Sequence, residues 1–273
     1  MLINRLELMP RDIEDDIRAD AVARYPEESI GVIRRGQYEA IPNVAGQIRG
    51  ADGKFLDPCN VAVPDPETFQ NMLIDGDVDA LVHSHPDGVF GPSAHDMRAQ
   101  IDHGIPYGVV GVYKGGASRV ALWGDQLERM PLLDRGFQHG ITDCYEAIRD
   151  KYFVGRGWWI EQFARDWDWW KSGQTLYESG FRQAGFEKVP SDQAQEWDVV
   201  MFKIRSETHN HAGIYLGNGL LYHHATAREP YDPGKRATIE PIHRWLKYDA
   251  MYVRPDENHQ AIRKVGQEIR GNA

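Results

Sequence analysis

The sequence predicts a two-domain protein of the α+β class, and three of its features support that prediction. The chain has 273 residues, a length that suits two ordinary domains. In the first half, segments with helical periodicity alternate with short apolar runs typical of strands. In the second half, one strong helical segment precedes several strand-like segments. We therefore predict a first domain at residues 1–124, a linker at 125–136, a second domain at 137–255 and a polar tail at 256–273.

The elements of the first half follow from periodicity and from capping and turn residues. A helix is predicted at residues 12–24 because Ile13, Ile17 and Ala21 share one face. Ser93 can cap a second helix at 93–103. The other predicted elements are a helix at 65–74 and strands at 31–34, 38–44, 79–83, 106–113 and 118–123.

The second half begins after a polar stretch that contains Pro131. A helix is predicted at 142–153, and a strand at 198–204. Gly217-Asn218-Gly219 supplies a hairpin turn between strands at 211–216 and 220–223. The tail is expected to be a loose helix or disordered.

Composition and charge exclude several classes of protein. The formal net charge of −10 argues against a nucleic-acid-binding surface, which must be basic to neutralise phosphates. No apolar stretch of about 18 residues is present, so no membrane-spanning helix is expected. Residues 1–16 are acidic and lack the apolar core of a secretory signal. Cys59 and Cys144 could form one disulfide by number alone, but without a signal sequence free thiols are favoured.

The strongest chemical signal in the chain is His83-Ser84-His85-Pro86, which is followed by Asp96. Two histidines at i and i+2 can direct both imidazoles at one centre if a strand ends between them, and Pro86 and Gly88 suit such a break. Asp96, one turn into the next helix, can add an oxygen ligand. Two nitrogens, one oxygen and an open fourth position form the ligand set of catalytic zinc.

Such a site also needs a base and an oxyanion donor. Glu28 lies where a helix gives way to a strand, and it could move a proton from water to the leaving amine. Ser93 could donate a hydrogen bond to the developing oxyanion. On the alternative interpretation, His83 and His85 are ordinary polar residues and Ser93 only caps a helix.

The pattern H-x-H-P followed by P-S-x-x-D, with ten residues between His85 and Asp96, resembles the JAMM (Mov34/MPN) metallopeptidase motif, and P-x-E-x-x-G around Glu28 also matches. The resemblance covers residues 5–123 and implies an α/β domain with a cytidine-deaminase-like mixed sheet. It implies Zn²⁺ as cofactor with His83, His85 and Asp96 as ligands, Glu28 as general base and Ser93 as oxyanion helper. It also implies cleavage of an amide or isopeptide bond, although a metal-free descendant would keep the same pattern.

A second set of reactive residues lies in the other half. Cys144 falls in the first turn of the predicted helix, where the helix dipole favours the thiolate. A nucleophilic thiol needs an imidazole to move its proton, and His211 opens a predicted strand. His223 ends the neighbouring strand of the hairpin, where it could fix the orientation and tautomer of His211.

Other interpretations of these residues remain open. Cys144 could be a buried, inert thiol. Cys144, His209 and His211 could instead bind a metal. The tryptophans between residues 158 and 170 could line a groove and its core or form a platform for a glycan.

Asp143-Cys144, Trp197-Asp198-Val199-Val200 and H-x-G-I-Y-L-G-N-G with His223 after the hairpin resemble the NlpC/P60 family. The resemblance implies a reduced papain-like fold with Cys144 as nucleophile, His211 as base and His223 as the third polar member. Family members typically cleave the stem peptides of bacterial peptidoglycan. The common Asp-Cys-Ser-Gly is replaced here by Asp143-Cys144-Tyr145-Glu146, and no tyrosine upstream of the cysteine matches the family's oxyanion helper.

The two halves together resemble the tail-tip proteins of lambda-like phages, which implies tail-tip or baseplate proteins and a peptidoglycan peptide as partners. Such a protein would be assembled in the host cytoplasm and would act at the periplasm and cell wall. We expect a tail-tip peptidase that cuts peptidoglycan stem peptides or cross-links through Cys144, His211 and His223 and supports tail assembly and genome entry. The alternative is a structural assembly factor whose peptidase sites are vestigial or serve only maturation.

Overall fold

In the computed structural model the chain forms two units, residues 1–128 and 129–273, and the structure describes residues 2–87, 90–224 and 227–265. Both units combine helices with a sheet, so the predicted α+β class is confirmed. The stretch 125–136, predicted as a linker, is divided between them. Leu127 is fully buried in the first unit, where it pairs with Ile3, whereas residues from Arg129 onward belong to the second.

The first unit is a mixed sheet covered by helices. Its helices are α1 (Arg5–Leu8), α2 (Arg11–Arg24), α3 (Pro66–Asp75) and α4 (Ala94–His103). Its strands are β1 (Ile30–Arg34), β2 (Gln37–Ile41), β3 (Val78–Pro86), β4 (Tyr107–Tyr113), β5 (Gly116–Ala117) and β6 (Ala121–Trp123). Within the described ranges the strand order is β2-β1-β3-β4-β5, with β6 also on β4. Only β3 and β4 run parallel among these pairs.

Helix α2 packs on this sheet through the face that its periodicity predicts. Ile13, Ile17 and Ala21 are buried with Val82 and Val110 of β3 and β4. Two strand predictions are wrong in extent. Strand β3 does not end at residue 83 but continues to Pro86, and the strand predicted at 118–123 is replaced by β5 and β6.

The second unit is an antiparallel sheet with two helices. Its helices are α5 (Cys144–Arg156) and α6 (Leu176–Gln183). Its strands are β7 (Gly136–Gln138), β8 (Trp158–Trp159), β9 (Phe186–Val189), β10 (Val199–Lys203), β11 (His211–Tyr215), β12 (Leu220–His224), β13 (Tyr231–Pro241), β14 (Asp249–Pro255) and β15 (Arg263–Lys264). In the part of this unit that the structure describes, seven strands follow the order β7-β13-β12-β11-β10-β14-β9, and β15 pairs with β8.

Helix α5 and the central strands enclose the core of this unit. Ala147, Ile148 and Tyr152 of α5 pack with Ala212 and Ile214 of β11. The prediction of a loose or disordered tail is wrong for residues 256–265, because Arg263 pairs with Trp159 and Ile262 is buried. Residues 266–273 lie outside the described residues. Among the helices that the structure describes, none combines the length and apolar character needed to cross a membrane.

Candidate active sites

Strand β3 brings His83 and His85 to one point because residues two apart in a strand share a face. The break in the strand that the sequence had indicated is therefore not needed. The two Nε2 atoms lie 3.1 Å apart. The Nε2 atom of His83 lies 3.4 Å from Oδ1 of Asp96, and that of His85 lies 3.4 Å from Oδ2. The three side chains predicted as metal ligands thus converge.

The spacing of these donor atoms matches a tetrahedral metal centre. Metal–nitrogen bonds of about 2.0–2.1 Å place neighbouring donors about 3.3 Å apart in a tetrahedron. The separation of 3.1 Å between the two Nε2 atoms, and of 3.4 Å from each of them to a different oxygen of Asp96, is close to that value. A contact between the two Nε2 atoms requires one of them to carry a proton unless a cation lies between them.

Asp96 is suited to act as an anionic ligand. Burial alone would raise the pKa of Asp96, but its interactions with His83 and His85 hold the pKa well below its usual range. Ser93 is the N-cap of α4, and its hydroxyl donates to Oδ2 of Asp96 at 2.7 Å. Ser93 therefore orients Asp96 directly, and its predicted role as an oxyanion donor stays a prediction.

Glu28 lies beside the two histidines. One carboxylate oxygen of Glu28 and the ligating nitrogens of His83 and His85 all lie within 4.8 Å of one another. Its backbone is fixed, because its amide donates to the carbonyl of Pro58 and its own carbonyl accepts from the side chain of Asn43. Burial raises the pKa of the carboxyl group, and the two histidines oppose that shift. A carboxylate with a raised pKa beside two imidazoles that could hold a metal ion is suited to accept and return a proton.

Cys144 lies in the first turn of α5, as predicted, although the helix begins at Cys144 itself and not at residue 142. Asp143 caps the helix by accepting from the amides of Tyr145 and Glu146. The guanidinium of Arg165 donates to both carboxylate oxygens of Asp143, at 2.9 and 2.7 Å. This buried ion pair fixes the start of the helix and with it the position of the thiol.

The expectation of a stable thiolate is wrong in this structure. Burial raises the pKa of the Cys144 thiol to about 11, and the charge of Asp143 adds to the shift. Hydrogen bonds from Tyr177 and from the backbone of Ala212 lower the pKa by less. Desolvation therefore outweighs the favourable position at the helix start from which the thiolate was expected. At neutral pH Cys144 is therefore a neutral thiol.

Alkylation of Cys144 by iodoacetamide should consequently be slow at neutral pH. Because only the thiolate reacts and the pKa is about 11, the rate constant should rise about tenfold per pH unit between pH 7 and pH 10. Mass spectrometry of a Cys59→Ser variant, in which Cys144 is the single thiol, measures this rate. A rate that levels off at or below pH 7 would indicate a thiolate–imidazolium pair and contradict the prediction.

Tyr177 is a site residue that the sequence did not predict. Its hydroxyl lies 3.3 Å from Sγ of Cys144, and the ring is buried. Tyr177 follows the cysteine on α6, a helix of eight residues that was not predicted either. A phenol this close to the nucleophile can donate a hydrogen bond to an oxyanion formed there. The sequence had offered no upstream tyrosine for this place.

His211 and His223 are paired as the hairpin predicts. Nε2 of His211 lies 3.0 Å from Nδ1 of His223, and both side chains are fully buried. Gly213 lies opposite His223 in the β11–β12 register, and a Cβ there would come within 2.7 Å of the Cβ of His223. A glycine at this position therefore allows the two rings to meet.

Two further residues that the sequence analysis did not assign complete this cluster. Oε1 of Glu240, on β13, lies 2.8 Å from Nε2 of His223. The indole of Trp245 donates to the same oxygen at 3.0 Å and stacks on the His211 ring at a centroid distance of 5.0 Å. Sequence spacing does not connect these residues to the hairpin, because the position of Glu240 depends on the register of β13 and Trp245 follows that strand.

The thiol and the imidazole open into one cavity of about 530 Å³. Cys144 and His211 both line it, and Nδ1 of His211 is buried without a hydrogen-bond partner among the described residues. Burial lowers the pKa of His211 well below its ordinary value, so the ring is neutral. A neutral imidazole with an unpartnered nitrogen, in the lining of the same cavity as a neutral thiol, is suited to general-base catalysis.

The remaining aromatic and histidine residues support the groove interpretation. Trp167, Trp169 and Trp170 line the cavity and pack edge to face, with Trp169 buried in the core. Nδ1 of His209 lies 2.7 Å from Oε1 of Glu178, and among the described residues Cys144, His209 and His211 do not form a group that could hold a metal ion.

Comparisons with known proteins agree with the geometry of the second unit. A model of the NlpC/P60 family matches residues 123–234. Tail tip assembly protein K of Escherichia phage lambda is 37% identical over 160 residues, which cover 58% of this chain and 75% of that relative. Tail tip assembly protein K of Escherichia phage N15 is 31% identical over 233 residues, which cover 80% of this chain and 87% of that relative. The chain belongs to the tail tip assembly protein K family.

In this member of the tail tip assembly protein K family, the NlpC/P60 match contains Cys144, His211 and His223 and ends before Glu240 and Trp245. Two solved structures also match. The NlpC/p60 domain of the peptidoglycan hydrolase SagA covers 43% of this chain and 87% of that chain, with 22% identity and a TM-score of 0.27. A protein from Salinibacter ruber covers 44% of this chain and 86% of that chain, with 22% identity and a TM-score of 0.28.

Proposed function

We propose that the second unit is a cysteine peptidase that cleaves stem peptides or cross-links of bacterial peptidoglycan, and that it acts from the tip of a phage tail. The observation that carries this proposal is that Cys144 and His211 line one cavity, while Nδ1 of His211 has no hydrogen-bond partner among the described residues. The tail-tip location and other tail proteins as partners are inferred from the names of the relatives. The peptidoglycan substrate is inferred from the NlpC/P60 resemblance.

The proposed reaction uses side chains that line the same cavity. Sγ of Cys144 gives its proton to Nδ1 of His211 as it attacks the carbonyl carbon of the scissile amide. The resulting imidazolium gives the same proton to the leaving amine, and water then releases the acyl group from the sulfur. The hydroxyl of Tyr177 is positioned to donate to the oxyanion of each step.

Purified peptidoglycan tests the proposal. The wild-type chain should release soluble muropeptides, and Cys144→Ala should release none above background, because the variant lacks the sulfur that forms the acyl intermediate. Cys59→Ala is the matched control, since it removes the other cysteine from a loop of the first unit. Equal release by wild type and Cys144→Ala, measured by chromatography of the products, would exclude the cysteine mechanism.

We propose that the first unit is a zinc-dependent amide or isopeptide hydrolase of the JAMM type. His83, His85 and Asp96 would hold the ion, and Glu28 would move the proton from water to the leaving amine. Zinc, when bound there, would polarise the scissile carbonyl and activate a water. The two chemistries would divide the work, with this unit processing a tail protein while the second attacks the wall. If zinc chelation left the mass of every tail protein unchanged, that division would fail.

A structural role in tail assembly is the second candidate, and it is favoured by the names of the relatives as assembly proteins. Phage that carry Cys144→Ala and His83→Ala separate the two candidates. Normal tails with a defect in genome entry would support the enzyme. Normal entry with both substitutions would support a scaffold whose sites are vestigial, and defective tails would support a role in maturation.

A further inference from the structure

The catalytic imidazole lies at one end of a continuous chain of hydrogen bonds. Nε2 of His211 contacts Nδ1 of His223 at 3.0 Å, and Nε2 of His223 contacts Oε1 of Glu240 at 2.8 Å. Both histidine side chains are fully buried, whereas the carboxylate of Glu240 is 22% exposed. The far end of the chain therefore reaches solvent, and the near end is the unpartnered Nδ1 of His211.

The register of the sheet explains this alignment. His223 pairs with Thr238 and Leu221 pairs with Glu240, so Glu240 lies on the same face as His223, one diagonal step away. The carboxylate is held from the other side as well. Trp245 donates to Oε1 at 3.0 Å and Arg244 donates to Oε2 at 3.1 Å.

The charge states of the three groups assign the protons along the chain. Burial alone would raise the pKa of Glu240, but hydrogen bonds from His223, Arg244 and Trp245 hold it below its ordinary value. Burial lowers the pKa of both histidines, so both rings are neutral. An ionised carboxylate only accepts, which places the proton of His223 on Nε2 and its lone pair on Nδ1. His211 must then donate from Nε2, which leaves the lone pair on Nδ1.

We propose that Glu240 is a positioning residue that fixes the tautomers of His223 and His211, so that Nδ1 of His211 is always free to take the proton of Cys144. This role rests on the proposed cysteine peptidase function. Glu240 takes no proton itself. When the Cys144 proton reaches Nδ1 of His211, the Nε2 proton of the resulting imidazolium stays hydrogen-bonded to Nδ1 of His223. The carboxylate of Glu240 stabilises the positive charge through His223. The proton then leaves with the amine, and the original tautomers return.

Glu240→Ala and Glu240→Gln in the full chain test this role, with Glu187→Ala on the exposed edge strand β9 as the matched control. In the Ala variant Nε2 of His223 loses its acceptor, so the proton of His223 can move to its own Nδ1. His211 must then accept at Nε2, which places the proton of His211 on Nδ1, the nitrogen that should act as the base. Peptide release should fall about 10²-fold and should recover in part with added formate, since a small carboxylate can enter the vacated, partly exposed position. Glu240→Gln should stay within about tenfold of wild type, because its amide oxygen accepts the same proton.

Nitrogen-15 spectra of labelled histidines supply a readout that does not depend on turnover. The wild type and Glu240→Gln should show both rings protonated at Nε2, and Glu240→Ala should show a shift toward Nδ1. Unchanged tautomers in Glu240→Ala would overturn the proposal, even if the wild type cleaved no peptidoglycan. Should the Ala variant fail to fold, altered tautomers in Glu240→Gln would overturn it instead. Wild-type tautomers without any peptide release would refute the peptidase function but leave the role of Glu240 standing.

Discussion

His211→Ala should lower the rate of peptide release by about 10³-fold or more, because the variant has no base for a thiol whose pKa is about 11. At neutral pH only about one thiol in 10⁴ would be ionised without help. In the proposed mechanism the imidazole of His211 takes this proton during the attack. Without it, the reaction depends on that small fraction and on a leaving amine that receives no proton.

The measurement is muropeptide release per enzyme under saturating substrate, with His243→Ala as the control. His243 is exposed in the short turn of helix after β13, and it makes no contact with the site among the described interactions. Circular dichroism should show the same fold for both variants. If His211→Ala kept more than a tenth of the wild-type rate, a different group would have to be the base. Partial recovery of His211→Ala at pH 10 would support the thiol pKa independently.

The first unit should bind one zinc ion per chain, and His83→Ala should lower the affinity by about 10²-fold or more. Structural zinc sites with four ligands have binding free energies of about 10–16 kcal/mol, so one ligand contributes about 3 kcal/mol on average. That contribution corresponds to about 10²-fold in affinity. The effect should be large because the remaining donors, His85 and Asp96, cannot close the tetrahedron by themselves.

Metal analysis after dialysis against buffered zinc measures this directly and needs no substrate. His95→Ala is the matched control, since His95 is exposed on α4 next to Asp96 and lies outside the ligand set. Wild type and His95→Ala should retain one equivalent, whereas His83→Ala should retain little at the same free zinc concentration. If the wild-type chain bound no zinc at all, the prediction would be wrong and the cluster of His83, His85 and Asp96 would have only a structural role.

The sequence predicted the residues whose chemistry depends on local spacing. His83 and His85 lie two apart in one strand, and His211 and His223 flank a glycine-rich hairpin, so their meeting follows from strand geometry alone. The predicted break after His83 was unnecessary because the same geometry already places both rings on one face.

The sequence did not predict the residues that depend on distant packing. Tyr177 reaches Cys144 from a helix of only eight residues with Gly180 inside it, a weak helical signal. Glu240 belongs to β13, whose Pro233 and Gly234 are unfavourable for a strand. The thiol pKa could not be predicted either, because helix position gives the sign of the dipole effect but not the degree of desolvation.

The position of β14 in the sheet determines where an expressed fragment of the second unit can end. This late strand, Asp249–Pro255, lies between β10 and β9 rather than at an edge, so the last stretch of the unit fills an interior place in the sheet. A fragment that stopped at residue 234, where the NlpC/P60 match ends, would leave β10 as an unpaired edge strand, which favours aggregation. Such a fragment would also lack Glu240 and Trp245, which contact His223 and His211. Expression fragments should therefore extend at least through residue 265, where β15 closes on β8.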